Sequence, residues 1–563
     1  MKRFPKFSSW VSLITVLLVV GWFFNITIAG NEELYYKIDK GLYNLKEVFE
    51  ILNRHYVDKL DPEGVSKAAI NGMVKELDPY TVYFEDPGSE RMGMITRGKY
   101  GGLGMEIGIQ NGKITVIAPM EDTPAKRAGI LAGDVITKID GESTEDMTIE
   151  EASRRLRGKI GTQVTLEIQR PGVDEPITLT LTREEIVVKD VTFADFIDSG
   201  TVLIRLSGFT EKAPREMKEA ILALKRRGKI ERVILDLRGN PGGLLSSAVE
   251  VANIFLPPGE LVVSTRGRNE RESKYFTKEM PLLPNVPLAV LVNQYSASAS
   301  EIVSGAIQDL DRGIIVGTTT FGKGLVQKVF PIDKINQTYL KITTAKYYTP
   351  SGRLIQKEDY KKNHEIFVDL SDSVEYNKKV NYYTKNGRVV HGGGGIVPDV
   401  TVEGEKLDRF IAAVRSRGYL FRFTVDYLSR HPELKQQAHI TVTDAILNDF
   451  AAYLKEQGFD FELPGEENLE KFLEIAGEKQ YDEDIRDLVK VALQKLDAQK
   501  QNAVQAHAEQ LKRQLEAEFA EKIGGSRARL ATYYQYDNQL KKALQILKDL
   551  PEYNQILAVQ KNR

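Results

Sequence analysis

Residues Val292 to Phe330, VNQYSASASEIVSGAIQDLDRGIIVGTTTFGKGLVQKVF, decide how the chain is read. The apolar run before them, Pro287 to Val292 (PLAVLV), predicts a buried strand. Ser296 to Ser300 then leads into Glu301–Ile307, where Ile302 with Ala306 and Val303 with Ile307 keep helical spacing. Ser298 therefore falls at a strand-to-helix turn. With Glu301 three residues on it fits a capping box, in which the hydroxyl accepts a first-turn N–H and the carboxylate reaches back. The same geometry suits chemistry, because N–H groups at the positive end of a helix stabilise an oxyanion beside a serine. Both readings are open on these residues alone.

A serine hydroxyl is a poor nucleophile without a base. None of the six histidines (His55, His364, His391, His431, His439, His507) lies between Ser298 and the end of this stretch, whereas Lys323 follows the serine by 25 residues. A lysine acts as a base only as the neutral amine, which apolar surroundings favour, and Ile314-Ile315-Val316 and Leu325-Val326 flank it. Extended backbone would put Lys323, Leu325, Gln327 and Val329 on one face, with Gln327 near the amine. Gly317 to Lys323 also fits the phosphate-loop pattern G-x-x-x-x-G-K. Gly324, however, replaces the Ser or Thr that would hold magnesium, and LVQKVFPI alternates like a strand instead of opening a helix. Nucleotide binding is excluded on both counts.

SASASEI, FGKG with a glutamine four residues after its lysine, and LDLRGNPGG (Leu235 to Gly243) together resemble the carboxyl-terminal processing, or tail-specific, serine proteases with a Ser/Lys catalytic pair. The resemblance runs from about Tyr35 to Val402. It implies Ser298 as nucleophile, Lys323 as general base and Gln327 as the residue that orients the lysine. It further implies an oxyanion hole built from the N–H of Ala299 and that of Gly242 or Gly243, with no metal and no cofactor. Glycines before a helix serve a tight turn equally well, and the sequence does not choose between the two.

With 563 residues the chain is expected to form several domains. Its 77 basic and 79 acidic residues nearly balance and give no electrostatic case for nucleic acid, and the absence of cysteine excludes disulfides and thiolate chemistry. Lys2, Arg3 and Lys6 precede an apolar run from Phe7 to Gly30, the pattern of an exported protein. Thr27-Ile28-Ala29 would serve as a cleavage site, but the run is long for a signal peptide and close to the ~20 residues that span a bilayer. The expectation is a signal anchor over residues 1–30, with the rest outside the cytoplasm, periplasmic in a cell with two membranes.

Residues 31–88 read as a helical region, with Leu45, Val48, Phe49 and Leu52 at helical spacing, a second run from Val65 to Leu77, and a turn at Asp78-Pro79. From 89 to 185 the elements resemble a circularly permuted PDZ module: YGGLGMEI, a short helix and strand in TPAKRAGILAGDVITKIDG, a helix from Thr148 to Arg157, and the alternating QVTLEIQ. A glycine-rich loop and an open strand edge suit the carboxyl end of a peptide, with Gly102, Leu103, Gly104, Met105 and Ile107 as the expected pocket. Leu103, Met105 and Ile107 serve equally well as ordinary core. A hinge would lie near Ser89 and Ile186.

Residues 186–403 alternate strands (TVLIRLS, RVILDL) with helices (Pro214 to Arg226, Leu244 to Phe255), which implies a largely parallel sheet. His391 to Asp399 (HGGGGIVPD) resembles the segment that closes such a core, and His391 has no neighbouring ligand cluster for a metal. Residues 404–563 are expected to form a helical extension, clearest in the helix from Asp487 to Phe519, and docking on the core, self-association and reception of a partner are all open roles for it.

The expected fold is thus α/β multidomain: a crotonase/ClpP-like protease core with an inserted PDZ domain, a helical N-terminal region and a helical C-terminal extension. The expected function is a serine endopeptidase acting on proteins with apolar carboxyl-terminal tails, tethered to the membrane by its first segment, with self-association or an adaptor through its helices. The alternative is a tail-binding scaffold or chaperone on an inactive core. A penicillin-binding type of acyltransferase is disfavoured because no S-x-x-K occurs in the chain, and an esterase elbow because G-x-S-x-G is absent at Ser298.

Overall fold

The computed structural model describes residues 8–85, 90–268, 270–333, 335, 337–357, 380–479 and 481–558, with side chains from residue 32 onward. The export segment expected over residues 1–30 lies outside the described side chains. Among the described residues no helix is long and apolar enough to cross a membrane.

The chain divides into two units, Met1–Tyr83 and Phe84–Arg563. The first holds α1 (Ser8–His55) and α2 (Pro62–Lys75). The second helix begins three residues before its apolar run because Asp61 accepts the N–H groups of Glu63 and Gly64, with Pro62 at the first helical position.

In the second unit, β1 (Lys99–Gly102) enters a module built from β2 (Met105–Gln110), β3 (Lys113–Pro119), β4 (Val135–Ile139), α3 (Ile149–Leu156), β5 (Gln163–Gln169) and β6 (Ile177–Thr182), and β7 (Glu184–Val187) leaves it. The antiparallel order is β2-β3-β4-β5-β6, so β2 is an edge strand. Alternation fixes the faces: Val164, Leu166 and Ile168 of β5 point inward onto Ile114, Val116 and Ile136. The way in and the way out pair with each other, Lys99 opposite Val187 and Gly102 opposite Glu184. Of the two places where a hinge is expected, Ser89 lies outside the described residues, and Ile186, opposite Tyr100, lies in this two-stranded ribbon. At its foot the buried Lys212 donates to the carbonyls of Val188 (2.5 Å) and Gly98 (3.4 Å).

The core sheet follows, with β8 (Val191–Phe196), β9 (Thr201–Leu206), α4 (Ala213–Arg227), β10 (Arg232–Asp236), α5 (Leu245–Asn253), β11 (Leu288–Val292), α6 (Ala299–Asp309), β12 (Ile314–Gly317), β13 (Leu325–Asp333), β14 (Thr338–Tyr348) and β15 (Val400–Thr401). Strands run β8-β9-β10-β11-β12-β15, all parallel except β8. One face, carrying Val202, Ile204, Val233, Leu235 and Val290, packs under α4, α5 and α6 through Met217, Ile221, Val251 and Val303. β13 and β14 belong to a second, antiparallel sheet.

The opposite face of the core sheet is covered by the chain's far end. Beyond α7 (Tyr419–Arg430), α8 (Ala508–Tyr534), α9 (Asn538–Lys548) and α10 (Leu550–Leu557) bring Tyr534, Leu540, Ala543, Ile546, Leu547 and Tyr553 onto Leu203, Ile234, Ala289, Leu291, Ile314 and Val316. The last helices are thus the third layer of the α/β core. The helix expected from Asp487 to Phe519 is instead Glu483–Gln501, a short Ala503–Ala506 turn and α8. The breaks at Asn502 and His507 turn Ala503, Leu511, Leu515 and Phe519 into one core with Phe410 and Phe423.

Where this third layer meets the sheet, Asp236 is wholly buried between Arg238 and Arg205. Burial pushes its carboxyl up, and the two guanidiniums more than reverse this, lowering it to about 2. A carboxyl lowered on folding stabilises the fold above its unfolded value of about 4 and loses that contribution as pH falls towards 2. Asp236→Asn is expected to cost about 3–5 kcal/mol at pH 7 in denaturant titration, since it strands buried arginines. The gap to the unmodified protein is expected to shrink between pH 4 and pH 2.

Candidate active site

In a parallel sheet the loops after successive strands emerge along one edge, and sites form there. Here the loops after three neighbouring strands hold Gly242, Gly243, Ser298 and Lys323, while Gln327 follows on β13 of the second sheet. β10 runs into Leu237–Leu244, β11 into Asn293–Ser298, and β12 into Thr318–Gly324.

Ser298 stands at the first turn of α6 with φ 54° and ψ −111°, left-handed backbone that a residue with a side chain adopts at a cost of about 1–3 kcal/mol. Glu301 holds it there. The capping box is closed by its carboxylate half, with the Ser298 N–H donating to Glu301 Oε2 at 2.8 Å. The Glu301 N–H goes to the Ser298 carbonyl (2.9 Å), which also accepts from Tyr347 Oη (3.1 Å). The serine hydroxyl itself makes no cap hydrogen bond.

The same carboxylate reaches the lysine loop. Glu301 Oε2 accepts the Lys323 N–H (2.9 Å), and Oε1 accepts the Gly322 N–H (2.7 Å) and Thr320 Oγ1 (2.6 Å). Burial raises the Glu301 carboxyl, and these four donors counteract it. Lys323 is half-buried, and its Nζ donates to Gln327 Oε1 at 3.1 Å, the contact expected from the four-residue offset.

The glycine loop lies against the serine. An added Cβ on Gly242 would sit 2.7 Å from the Ala297 carbonyl and 2.9 Å from Ser298 Cβ. The Gly242 N–H is already committed to Asn240 Oδ1 (2.9 Å). Asn240 also ties this loop to the serine turn, its carbonyl accepting the Ala297 N–H (3.0 Å) and Ser300 Oγ (2.9 Å). Gly243 bridges to Phe209 through its neighbours, Gly242 O accepting and the Leu244 N–H donating. Sequence reasoning missed Asn240 and Tyr347 and gave Glu301 only its capping role. Among the described residues no three His, Asp or Glu side chains gather as a metal site, at His391 or elsewhere.

In the antiparallel module a groove of about 320 Å³ opens between the edge strand β2 and α3. Leu103, Gly104, Met105 and Ile107 line it on one side and Ile149 and Leu156 on the other. Gly102, expected in the pocket, instead ends β1, where it pairs with Glu184.

Comparison with known proteins gives the same class as this geometry, a serine peptidase carrying a peptide-binding module. The chain matches peptidase family S41 over residues 200–366 and the PDZ domain family over 115–170. It also matches the families described as "Activating protease CtpB N-terminal domain" over 27–87 and "Probable PDZ-protease, C-terminal helical domain" over 410–547. It is 42% identical over 331 residues to the carboxy-terminal-processing protease of Bartonella bacilliformis, spanning 58% of this chain and 74% of that one. To a "Probable CtpA-like serine protease" of Staphylococcus aureus it is 37% identical over 356 residues, 62% and 69% of the two chains. Among solved structures, the photosystem II D1 C-terminal processing protease is 26% identical with a TM-score of 0.34, over 63% of this chain and 92% of that one. The chain belongs to the carboxy-terminal-processing proteases of peptidase family S41, as a serine-type peptidase with a PDZ domain.

Glu301→Gln turns one acceptor oxygen into a donor facing N–H groups. It is expected to cost about 1–3 kcal/mol of stability in denaturant titration and to lower kcat at least ~10-fold. Unchanged turnover would remove Glu301 from the arrangement of the pair.

Proposed function

We propose that Ser298 and Lys323 are the catalytic pair, with Gln327 orienting the lysine and the N–H groups of Ala299 and Gly243 forming the oxyanion hole. The observation that carries this reading is the shared Glu301 carboxylate, one oxygen of which takes the backbone N–H of both Ser298 and Lys323. Gly243 is preferred over Gly242 because the Gly242 N–H is spent on Asn240.

Ser298 Oγ attacks the peptide carbonyl while its proton passes to the neutral Lys323 amine, and the negative oxygen settles on the two N–H groups. As the tetrahedral species collapses, the C–N bond breaks and the Lys323 ammonium protonates the departing amine. Water then attacks the acyl-serine, giving its proton to Lys323; as the ester C–O bond breaks, the Lys323 ammonium returns that proton to Ser298 Oγ, and the carboxylic acid product leaves.

Substrates are selected by the carboxyl-terminal tail. The β2 edge offers unpaired main-chain groups for an added strand, and Leu103, Met105 and Ile107 offer apolar contact for the last side chain. The N-terminal apolar run supports export to the far side of the cytoplasmic membrane, with that run as a tether.

The test uses purified protein, Ser298→Ala, Lys323→Ala and Met105→Asp. Each meets a loosely folded substrate with an apolar free tail or an amidated, charged one. The first two variants are expected to lose at least ~10³-fold in kcat with the fold intact. Met105→Asp is expected to raise KM for the apolar tail alone. Retained cleavage by Lys323→Ala would remove lysine from the mechanism, and indifference to the tail would remove the groove from recognition.

A further inference from the structure

Asp236, the last residue of β10, is wholly buried, and both of its carboxylate oxygens are hydrogen-bonded. Its Oδ2 accepts from Arg238 Nη2 (2.8 Å), Arg205 Nη1 (3.2 Å) and Tyr534 Oη (2.9 Å), and its Oδ1 from the Arg238 N–H (3.0 Å) and Nε (2.9 Å). The Arg238 guanidinium continues to Gln539 Oε1 (2.9 Å) and forms an ion pair with Asp537 (2.6 Å). Gln539 is itself fixed by donating to the Val402 carbonyl (2.6 Å), and Asp537 caps α9 through the Leu540 N–H (3.0 Å). Two side chains near the carboxyl end of the sequence, Asp537 and Gln539, therefore converge on Arg238, and a third, Tyr534, on its partner Asp236.

Stability does not call for this cluster. The buried centre of the same interface is apolar, Leu540, Ala543, Ile546 and Leu547 against Ile234, Ala289, Leu291 and Ile314, and its other ion pairs, Lys548 with Asp198 and Arg527 with Asp195, have their cations half exposed. A buried ion network is generally no more stabilising than apolar packing of the same volume. What a guanidinium fork supplies is direction, since several hydrogen bonds in one plane leave it a single orientation. The buried ion pairs, Arg238 with Asp236 and Asp537, stand where the sheet gives way to Gly239–Gly243. On the far side of that turn, Asn293 Oδ1 holds the Gly239 N–H (3.0 Å) and Asn240 is bonded to the serine turn. The turn is thus gripped from two directions, and the grip at Arg238 comes from the C-terminal helices.

We propose that Tyr534, Asp537 and Gln539 are positioning residues for catalysis: through Arg238 and Asp236 they set the turn whose N–H group receives the developing oxyanion beside Ser298. This rests on the catalytic reading above. The C-terminal helical domain is then a working part of the active centre, because oxyanion donors act only when placed within a fraction of an ångström.

The experiment compares full-length protein with Tyr534→Phe, Gln539→Ala, Arg238→Lys and, as control, Ser298→Ala, on a peptide with an apolar free tail. It records kcat and KM separately, tail binding in the Ser298→Ala background, and the thermal midpoint. The expected result is a fall in kcat of at least ~10-fold for Tyr534→Phe, Gln539→Ala and Arg238→Lys, with KM and tail affinity within about twofold. Arg238→Lys keeps the charge and loses the fork, so full activity there would overturn the directional argument. A lower thermal midpoint with unchanged kcat would make the cluster merely structural and overturn the proposal. So would a rise in KM at constant kcat. If Gln539→Ala does not fold, Tyr534→Phe, which deletes one oxygen atom, decides. Cleavage that survives Ser298→Ala sinks the catalytic reading and this proposal together. Ser298-dependent cleavage with kcat untouched in the other variants sinks this proposal alone.

Discussion

The carboxylate of Glu301 is the contact on which the rest of the centre depends. It has no exposed surface, and everything it touches is a donor: the N–H groups of Ser298, Gly322 and Lys323 and the hydroxyl of Thr320. An ionised carboxylate only accepts, so this shell suits the charged form, and charge-assisted bonds of this length are roughly twice as strong as neutral ones. Their combined strength is of the order needed to hold Ser298 in left-handed backbone, which costs about 1–3 kcal/mol. Lys323 comes to the site by its backbone, and Gln327 then holds the amine at 3.1 Å.

Sheet order does the rest of the assembly. Residues 240, 298 and 323 are far apart in sequence, and a parallel sheet with β10, β11 and β12 side by side places their loops along one edge. Close approach of the first two loops requires glycine at 242, because a methyl group there would overlap the Ala297 carbonyl at 2.7 Å. Ala299 opens the helix, so its N–H has no carbonyl of the same helix to donate to.

What the sequence could say about the site follows from this division. Ser298, Lys323 and Gln327 were legible because their relations are local: a helix start, a lysine between glycines, a four-residue offset. The layers of the core were legible through β-alternation and helical spacing. Gly242 and Gly243 were legible as a pair and not as individuals, since the distinction lies in which N–H Asn240 Oδ1 has taken. Tyr347, reaching the Ser298 carbonyl from β14, leaves no sequence mark at all. Nor does the role of Leu540, Ala543 and Ile546, whose helical spacing says that one face is buried without saying against what. The chain past Gly404 therefore read as an extension with docking on the core as one of three open roles, and its last helices do complete the core. Gly102 was misplaced for a related reason: YGGLG holds three glycines, and pairing with Glu185 and Glu184 takes Gly101 and Gly102, which leaves Gly104 to line the groove.

The helical domain touches both the PDZ module and the catalytic core, and the two contacts differ in strength. Towards the module, Arg422 of α7 donates to Gln110 Oε1 at 3.2 Å, and Val425 packs against the bare backbone of Gly133. One hydrogen bond to a neutral acceptor is worth about 1 kcal/mol, and the van der Waals contact adds little. Towards the core, the same domain buries Leu540, Ile546 and Leu547 and shares the Asp236–Arg238 cluster, several times as much. If one joint opens, it is the first. The module then moves on the β1–β7 ribbon, whose foot Lys212 pins to the core through two carbonyls, while the helices stay on the sheet. Such a motion leaves the Asp236–Arg238 contacts beneath the 239–243 turn in place.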